Sequence, residues 1–170
     1  MAGAGPRVPP FVFTAGILDD MHLALALTVY IFTTTDCPIS NRYAPEIQRL
    51  AASYGDQAEF VLVYPVASDT KDVISDHHRK FGYSLEYVRD DGQKLAKRIG
   101  VTVTPEVAVM KGSTLLYRGR IDDRFVSLGV ERPKATTHDL EDALSAAIAG
   151  KPIATTETRA VGCILADLVR

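Results

Sequence analysis

Cys37 and Pro38 stand where an apolar, strand-like run gives way to a helical pattern, and this junction constrains the fold more than any other feature of the chain. Residues 27–32, LTVYIF, have the β-branched and aromatic composition of a buried strand. Beyond the junction, apolar side chains recur every three or four residues, which predicts a helix: Tyr43, Ile47, Leu50 and Tyr54. A cysteine between a strand end and a helix start meets unpaired backbone N–H groups and the positive end of the helix dipole. Both stabilise a thiolate, so Cys37 is predicted to be reactive.

Strand-like and helical patterns alternate along the rest of the chain. The predicted strands cover residues 27–33, 58–66, 85–88, 106–110 and 114–117, and the predicted helices cover residues 40–54, 69–81, 91–99 and 137–149. This alternation, closed by a hairpin and a helix, indicates an α/β fold with a central mixed sheet flanked by helices.

The length of 170 residues is sufficient for one domain with its own core. We expect that domain to span residues 27–150. Residues 1–26 are expected to form an N-terminal extension that adds an edge strand or hairpin, and residues 151–170 a C-terminal tail. This tail is polar except for an apolar patch around Cys163, which predicts that it docks back onto the domain.

Composition limits the kinds of partner. The net charge is −2 and the arginines are scattered, so we expect no nucleic-acid partner. No apolar run approaches the roughly 18 residues of a membrane span, and the first ten residues lack the apolar core of a secretory signal. The chain as it stands is therefore expected to be soluble and cytoplasmic, or exported if a leader was removed. The oligomeric state is left open.

The chain has two cysteines, Cys37 and Cys163, and neither belongs to a C-x-x-C pair. The four histidines show no zinc-type spacing with them. The adjacent His77 and His78 lie in a polar helical pattern and are interpreted as part of a solvated face. We therefore expect neither a metal nor another cofactor.

Three features together resemble the thioredoxin superfamily, and within it the redoxin group that includes peroxiredoxin-like and thiol–disulfide reductase-like proteins. The sequence CPIS at 37–40, followed by Ala44-Pro45, is similar to the active-site helix of that family. The sequence GVTVTP at 100–105 is similar to the family's substrate-side loop, whose threonine–proline bond is cis. The turn KGS at 111–113 is similar to its closing hairpin. The resemblance covers residues 27–150 and implies a thioredoxin-like fold.

The sequence departs from this family at one position. Ser40 stands where thioredoxins have their second cysteine, so a local dithiol is impossible. Thr34 and Cys37 form the peroxiredoxin-like pattern T-x-x-C, although Tyr30 stands where that motif has a proline. The resemblance implies catalytic roles for Thr34, Cys37 and Ser40. It implies substrate-binding roles for Pro38, Thr104, Pro105 and an arginine, for which Arg118, Arg120 and Arg124 are candidates and Arg120 is taken.

Cys163 is open to three interpretations: a resolving thiol on a mobile tail, a buried inert thiol, or a static disulfide partner of Cys37. A resolving thiol would complete a thiol-dependent oxidoreductase that acts on a peroxide or a protein disulfide and is regenerated by an external thiol reductant. The alternative is a non-enzymatic binding or chaperone module that forms mixed disulfides through a single thiol. A metallochaperone is disfavoured because no second thiol lies near Cys37 in the sequence.

Overall fold

The computed structural model describes residues 27–165. The predicted N-terminal extension, residues 1–26, and the last five residues of the tail lie outside this range. Five strands form the central sheet, in the order β3-β2-β1-β5-β6: β1 Leu27–Phe32, β2 Ala58–Tyr64, β3 Glu86–Arg89, β5 Glu106–Lys111 and β6 Thr114–Gly119. The first three strands are parallel, whereas β5 is antiparallel to β1 and to β6. The sheet is therefore mixed, as predicted.

Four further strands are short and form two separate pairs. β4 Val103–Thr104 pairs with β9 Cys163–Ile164, and β7 Phe125–Ser127 pairs with β8 Val130–Glu131. Sequence patterns of two or three residues are too short to predict such strands, and all four were missed. The β4–β9 pair matters most, because it joins the tail to the loop before β5.

The helices are α1 Pro38–Arg42, α2 Ala44–Tyr54, α3 Lys71–Phe81, α4 Lys94–Ile99 and α5 Asp139–Ile148. The single helix predicted for residues 40–54 is in fact two helices, interrupted at Tyr43. Pro45 explains the break, because its missing N–H cannot continue the hydrogen-bond ladder of α1. Within residues 27–165, no helix is both long enough and apolar enough to cross a membrane.

Alternating side chains of the strands feed two hydrophobic cores, one on each face of the sheet. Val29 and Ile31 of β1 point into the larger core, which also receives apolar residues of α2, α3 and α5. Phe32 points into the smaller core, where α4 contributes Ala96 and Ile99. Leu165 of the tail completes this second core and is only 3% exposed. The fold class is confirmed, and the tail lies against the domain.

Candidate active site

Cys37 lies in the turn between β1 and α1, and hydrogen bonds to two other parts of the chain fix that turn. The backbone N–H of Cys37 donates to the Thr34 carbonyl at 3.3 Å. The Asn41 amide of α1 donates to the Thr35 carbonyl at 2.9 Å, and the Thr35 hydroxyl donates to buried Asp69 at 2.5 Å. The turn is thus tied both to its own helix and to the start of α3.

The two cysteine sulfurs lie close together. Cys37 is 1% exposed, and its Sγ lies 3.0 Å from the Sγ of half-buried Cys163; both are free thiols. Cys37 Sγ also lies 3.2 Å from the Thr104 carbonyl oxygen, to which it donates as a thiol. Cys163 reaches this point because it pairs with Thr104 across β4 and β9. A separation of 126 residues in sequence is therefore closed within the fold.

The pKa values of the two thiols move in opposite directions. Burial raises the pKa of Cys37, but hydrogen bonds from the side chains and backbones of Cys163 and Ser40 outweigh it, so the pKa is lowered overall. For Cys163, burial, its hydrogen bond to Cys37 and the negative charge on that sulfur raise the pKa to about 12. Cys37 is therefore the thiol that ionises first, while Cys163 keeps its proton and donates it.

Ser40 and Thr104 lie next to Cys37, and both carry buried hydroxyl groups. Ser40 is 1% exposed and Thr104 is not exposed at all, and neither hydroxyl oxygen has a hydrogen-bond partner of normal geometry within residues 27–165. The Ser40 hydroxyl still lowers the pKa of Cys37. The Thr104–Pro105 peptide bond is cis, as the sequence predicted.

The other predicted site residues lie at different distances from the chemistry. Thr34 is buried, but it meets Cys37 through its carbonyl oxygen, and the hydrogen bonds described for residues 27–165 do not join its hydroxyl to the sulfur. Pro38 begins α1 and is exposed. Arg120 donates to Asp139 at 2.8 Å and to Thr137 at 3.2 Å, so its guanidinium is occupied at the start of α5.

Sequence reasoning missed how the tail is anchored before it reaches Cys37. Residues 156–158 run beside β6: the N–H of Arg118 donates to the Thr156 carbonyl, and the N–H of Thr158 donates to the Arg118 carbonyl. The Arg118 guanidinium binds the carboxylate of Glu157 and the carbonyls of Ile99 and Gly100. Arg118 was one of three candidate site arginines. Its carboxylate partner Glu157 lies 39 residues further along the chain, so sequence spacing did not indicate the pairing.

The main correction to the sequence analysis concerns His77, which contacts the Cys37 turn through Asn41. We interpreted the His77–His78 pair as a solvated face, whereas His77 is only 5% exposed. The inner face of α3 packs on Tyr64, whose hydroxyl lies 2.9 Å from His77 Nδ1, and His77 Nε2 lies 2.7 Å from Asn41 Oδ1. Because the Asn41 amide nitrogen already donates to Thr35, its oxygen accepts from Nε2, and Nδ1 accepts from Tyr64. This tautomer is neutral.

One group of metal-ligating residues lies away from the cysteines. Glu46, His138 and Glu141 bring their ligand atoms within 4.8 Å of one another. The guanidinium of Arg49 binds both carboxylates, at 2.7 Å and 2.6 Å, so its positive charge already offsets part of their negative charge. This arrangement is that of a surface ion-pair network.

No protein-family model matches the chain, and no curated protein matches it. Solved structures do. A hypothetical protein from Sinorhizobium meliloti 1021 is 23% identical with a TM-score of 0.73, covering 86% of this chain and 82% of its own. An uncharacterized conserved protein from Geobacillus kaustophilus is 24% identical with a TM-score of 0.70, covering 83% and 77%. A putative thiol:disulfide interchange protein DsbE from Chlorobium tepidum is 16% identical with a TM-score of 0.58, covering 77% and 84%.

The chain therefore has the thioredoxin-like fold that its sequence predicted. The similarity to these structures concerns the fold, since the identities are low. What distinguishes the site itself is the pair of cysteines, one on the turn after β1 and one on the tail strand β9.

Proposed function

We propose that this protein is a thiol-dependent oxidoreductase in which Cys37 is the nucleophile and Cys163 the resolving thiol. The observation that carries the proposal is the distance of 3.0 Å between the two sulfurs, both of them free. The opposite pKa shifts support the choice of nucleophile, because the attacking species is a thiolate and Cys37 is the thiol that ionises first.

In the first step, the Cys37 thiolate attacks the oxidant. With a hydroperoxide, an S–O bond forms while the O–O bond breaks, and the leaving alkoxide takes up a proton to become an alcohol. With a disulfide, an S–S bond forms to one sulfur and the other leaves as a thiolate. After the reaction with a hydroperoxide, Cys37 is a sulfenic acid whose sulfur has been oxidised by two electrons. After the reaction with a disulfide, Cys37 is part of a mixed disulfide.

In the second step, the Cys163 sulfur attacks the Cys37 sulfur. A Cys37–Cys163 disulfide forms, and either hydroxide leaves with the proton of Cys163 as water, or the substrate thiolate leaves with that proton as a thiol. An external dithiol then returns two electrons and two protons and restores both cysteines. Ser40 cannot resolve, but its buried hydroxyl stabilises the thiolate before each attack.

Two arguments favour this function over a module that only captures partners by a mixed disulfide. Such a module works best when no second thiol is near, whereas Cys163 lies in contact with Cys37. The fold is also that of a protein described as a putative thiol:disulfide interchange protein, and thiol–disulfide interchange is one of the two reactions proposed for Cys37.

The test is turnover with hydrogen peroxide and, separately, with a protein disulfide, each with an excess of dithiol reductant. We expect wild type to turn over at least one of them. Cys37→Ser should lose activity, on the order of a thousandfold or more, because the nucleophile is gone. Cys163→Ser should turn over more slowly than wild type, because the external dithiol must then reduce the Cys37 sulfenic acid or mixed disulfide directly. Equal turnover by Cys163→Ser and wild type would remove the resolving role, and activity in Cys37→Ser would remove the proposal.

A further inference from the structure

The tail strand β9 occupies the edge of β4 that lies directly over Cys37. Cys163 stands opposite Thr104 and Ile164 opposite Val103 in an antiparallel pair, and the N–H of Leu165 donates to the Thr102 carbonyl at 2.9 Å. An extended polypeptide that approached this site would pair with the same edge, since unpaired strand edges are where such segments bind. In this protein the chain's own tail already fills that place.

Gly162 allows the tail to approach so closely. A Cβ atom at this position would lie 2.0 Å from the Thr104 carbonyl oxygen and 3.0 Å from the nitrogen of Pro105. Both neighbours are backbone atoms of the loop that faces Cys37, so neither can rotate away as a side chain would. The backbone of Gly162 lies outside the left-handed region, so its requirement for glycine is one of space alone.

The tail is held on both sides of Cys163. Before it, residues 156–158 pair with β6, and Glu157 binds Arg118. After it, Leu165 enters the smaller hydrophobic core. Gly162 and Ile164 also form part of the wall of a groove of about 1280 Å³ beside the tail, and Cys37 is not among the residues that line this groove. A polypeptide in the groove therefore meets the tail before it meets the nucleophile.

We propose that β9 is a built-in pseudo-substrate that closes the polypeptide-binding edge of the active site, with Gly162 as the specificity-determining residue. The inference rests on the proposed function of Cys37. A small oxidant needs only the sulfur atom, whereas an extended polypeptide disulfide needs the backbone edge of β4. The reduced protein therefore selects small oxidants over polypeptides, and it does so by an intramolecular strand.

The experiment compares two disulfide probes that have the same leaving group. One is dithiodipyridine, and the other is an extended ten-residue peptide whose single cysteine is joined to thiopyridine. Each reacts with the Cys37 thiolate to form a mixed disulfide and releases thiopyridone, which is measured by absorbance. Cys163→Ser is the parent, because it keeps the β9 backbone but cannot resolve the product. Rates with each probe are divided by those of the same protein in denaturant, which removes the intrinsic reactivity of the probes.

In the parent, the normalised rate with the small probe should exceed that with the peptide by about tenfold or more, the effect expected when one or two backbone hydrogen bonds must first open. Gly162→Ala in the same background should make the normalised rates with the small probe and with the peptide nearly equal. Glu157→Gln is an exposed change that leaves the core intact. It should lower the ratio of the small-probe rate to the peptide rate by about two- to threefold. Lys151→Gln is the matched control, since Lys151 is an exposed cation earlier in the tail.

A folded Gly162→Ala protein with an unchanged ratio would overturn the inference, as would a parent that reacts equally with both probes. If Gly162→Ala does not fold, Glu157→Gln decides: a narrowed ratio supports the inference and an unchanged one overturns it. Failure of the proposed function gives a different result, because Cys37 would then react with neither probe faster than an ordinary buried thiol, nor with hydrogen peroxide.

Discussion

The two cysteines meet at one point, yet the regions that hold them there differ in kind. The Cys37 turn is tied into the interior: Asn41 links it to buried His77, and Thr35 links it to buried Asp69. Cys163 is held by backbone pairing along two sheet edges and by one core residue of the tail, Leu165. Of the ion pairs in that region, the one between Arg118 and Glu157 is largely open to solvent on the Glu157 side.

Because of this difference, we expect Cys37 to be fixed in place and Cys163 to be movable. Elements with many buried contacts open only with global unfolding, whereas a segment held by edge pairing, exposed ion pairs and a single buried side chain can open locally at smaller cost. We therefore expect Cys37 to stay in place through the catalytic cycle while the tail opens and closes over it. The following predictions test that contrast.

The largest expected contrast is between the thiols themselves. The rate of alkylation by iodoacetamide should rise with pH as each thiolate forms, and its midpoint should lie lower for Cys37, in Cys163→Ser, than for Cys163, in Cys37→Ser. Cys163→Ala should move the Cys37 midpoint to higher pH than Cys163→Ser does, because alanine removes a donor whose hydrogen bond lowers the pKa and serine retains one. A lower midpoint for Cys163 than for Cys37 would reverse the assignment of nucleophile.

The next effect concerns acid stability on the Cys37 side. Burial, with the nearby charges of His78 and Lys80, lowers the pKa of His77 to about 4 from its ordinary value of 6.5. Between these values the unfolded chain binds a proton that the folded protein does not, so the free energy of unfolding falls as the pH drops. The full window corresponds to about 3 kcal/mol. Urea denaturation at pH 8, 6 and 4 should show this loss in wild type.

His77→Gln should show a shallower loss across the same pH range. Buried Asp69 and Glu106 have raised pKa values and act in the opposite direction, but they are present in both proteins and cancel in the comparison. Exposed His138 provides the matched control, His138→Gln. Identical slopes for wild type and His77→Gln would show that His77 does not carry the acid sensitivity.

The smallest effect is expected on the tail side. The Thr158 hydroxyl lies 2.7 Å from the Tyr117 hydroxyl and accepts the N–H of Arg120 at 3.0 Å. Thr158→Ala should cost about 1 kcal/mol, appearing as roughly fivefold faster hydrogen exchange at the Leu165 amide. Thr158→Ser should restore protection. A loss that appeared only in global unfolding, with unchanged exchange in the tail, would mean that the tail does not open independently.

The sequence was informative on the Cys37 side because the signals there are local. A strand, a cysteine and a helix follow one another within residues 27–54, and the alternation of elements around them correctly predicted a mixed sheet flanked by helices. The interruption at Tyr43 was missed although Pro45 was visible, because the apolar spacing continues through it. The burial of His77 was missed because the polarity of α3 hides the face that packs on Tyr64.

The tail side depends on contacts that sequence spacing does not encode. The apolar patch around Cys163 predicted docking but not its place, since a two-residue strand has no pattern of its own. The need for glycine at position 162 arises only from the closeness of the Thr104 carbonyl. Three arginines looked equivalent in sequence, yet Arg118 anchors the tail and Arg120 binds Asp139, which only the fold could distinguish.

The measurement that tests the central claim most directly is the mapping of cysteine products after one equivalent of hydrogen peroxide. Wild type should give an intramolecular Cys37–Cys163 disulfide, identified by peptide mass under non-reducing conditions and reversed by a dithiol. Cys163→Ser should instead give a Cys37 sulfenic acid or an intermolecular dimer. Two free thiols, or an overoxidised Cys37 beside an untouched Cys163, would contradict the two-cysteine mechanism.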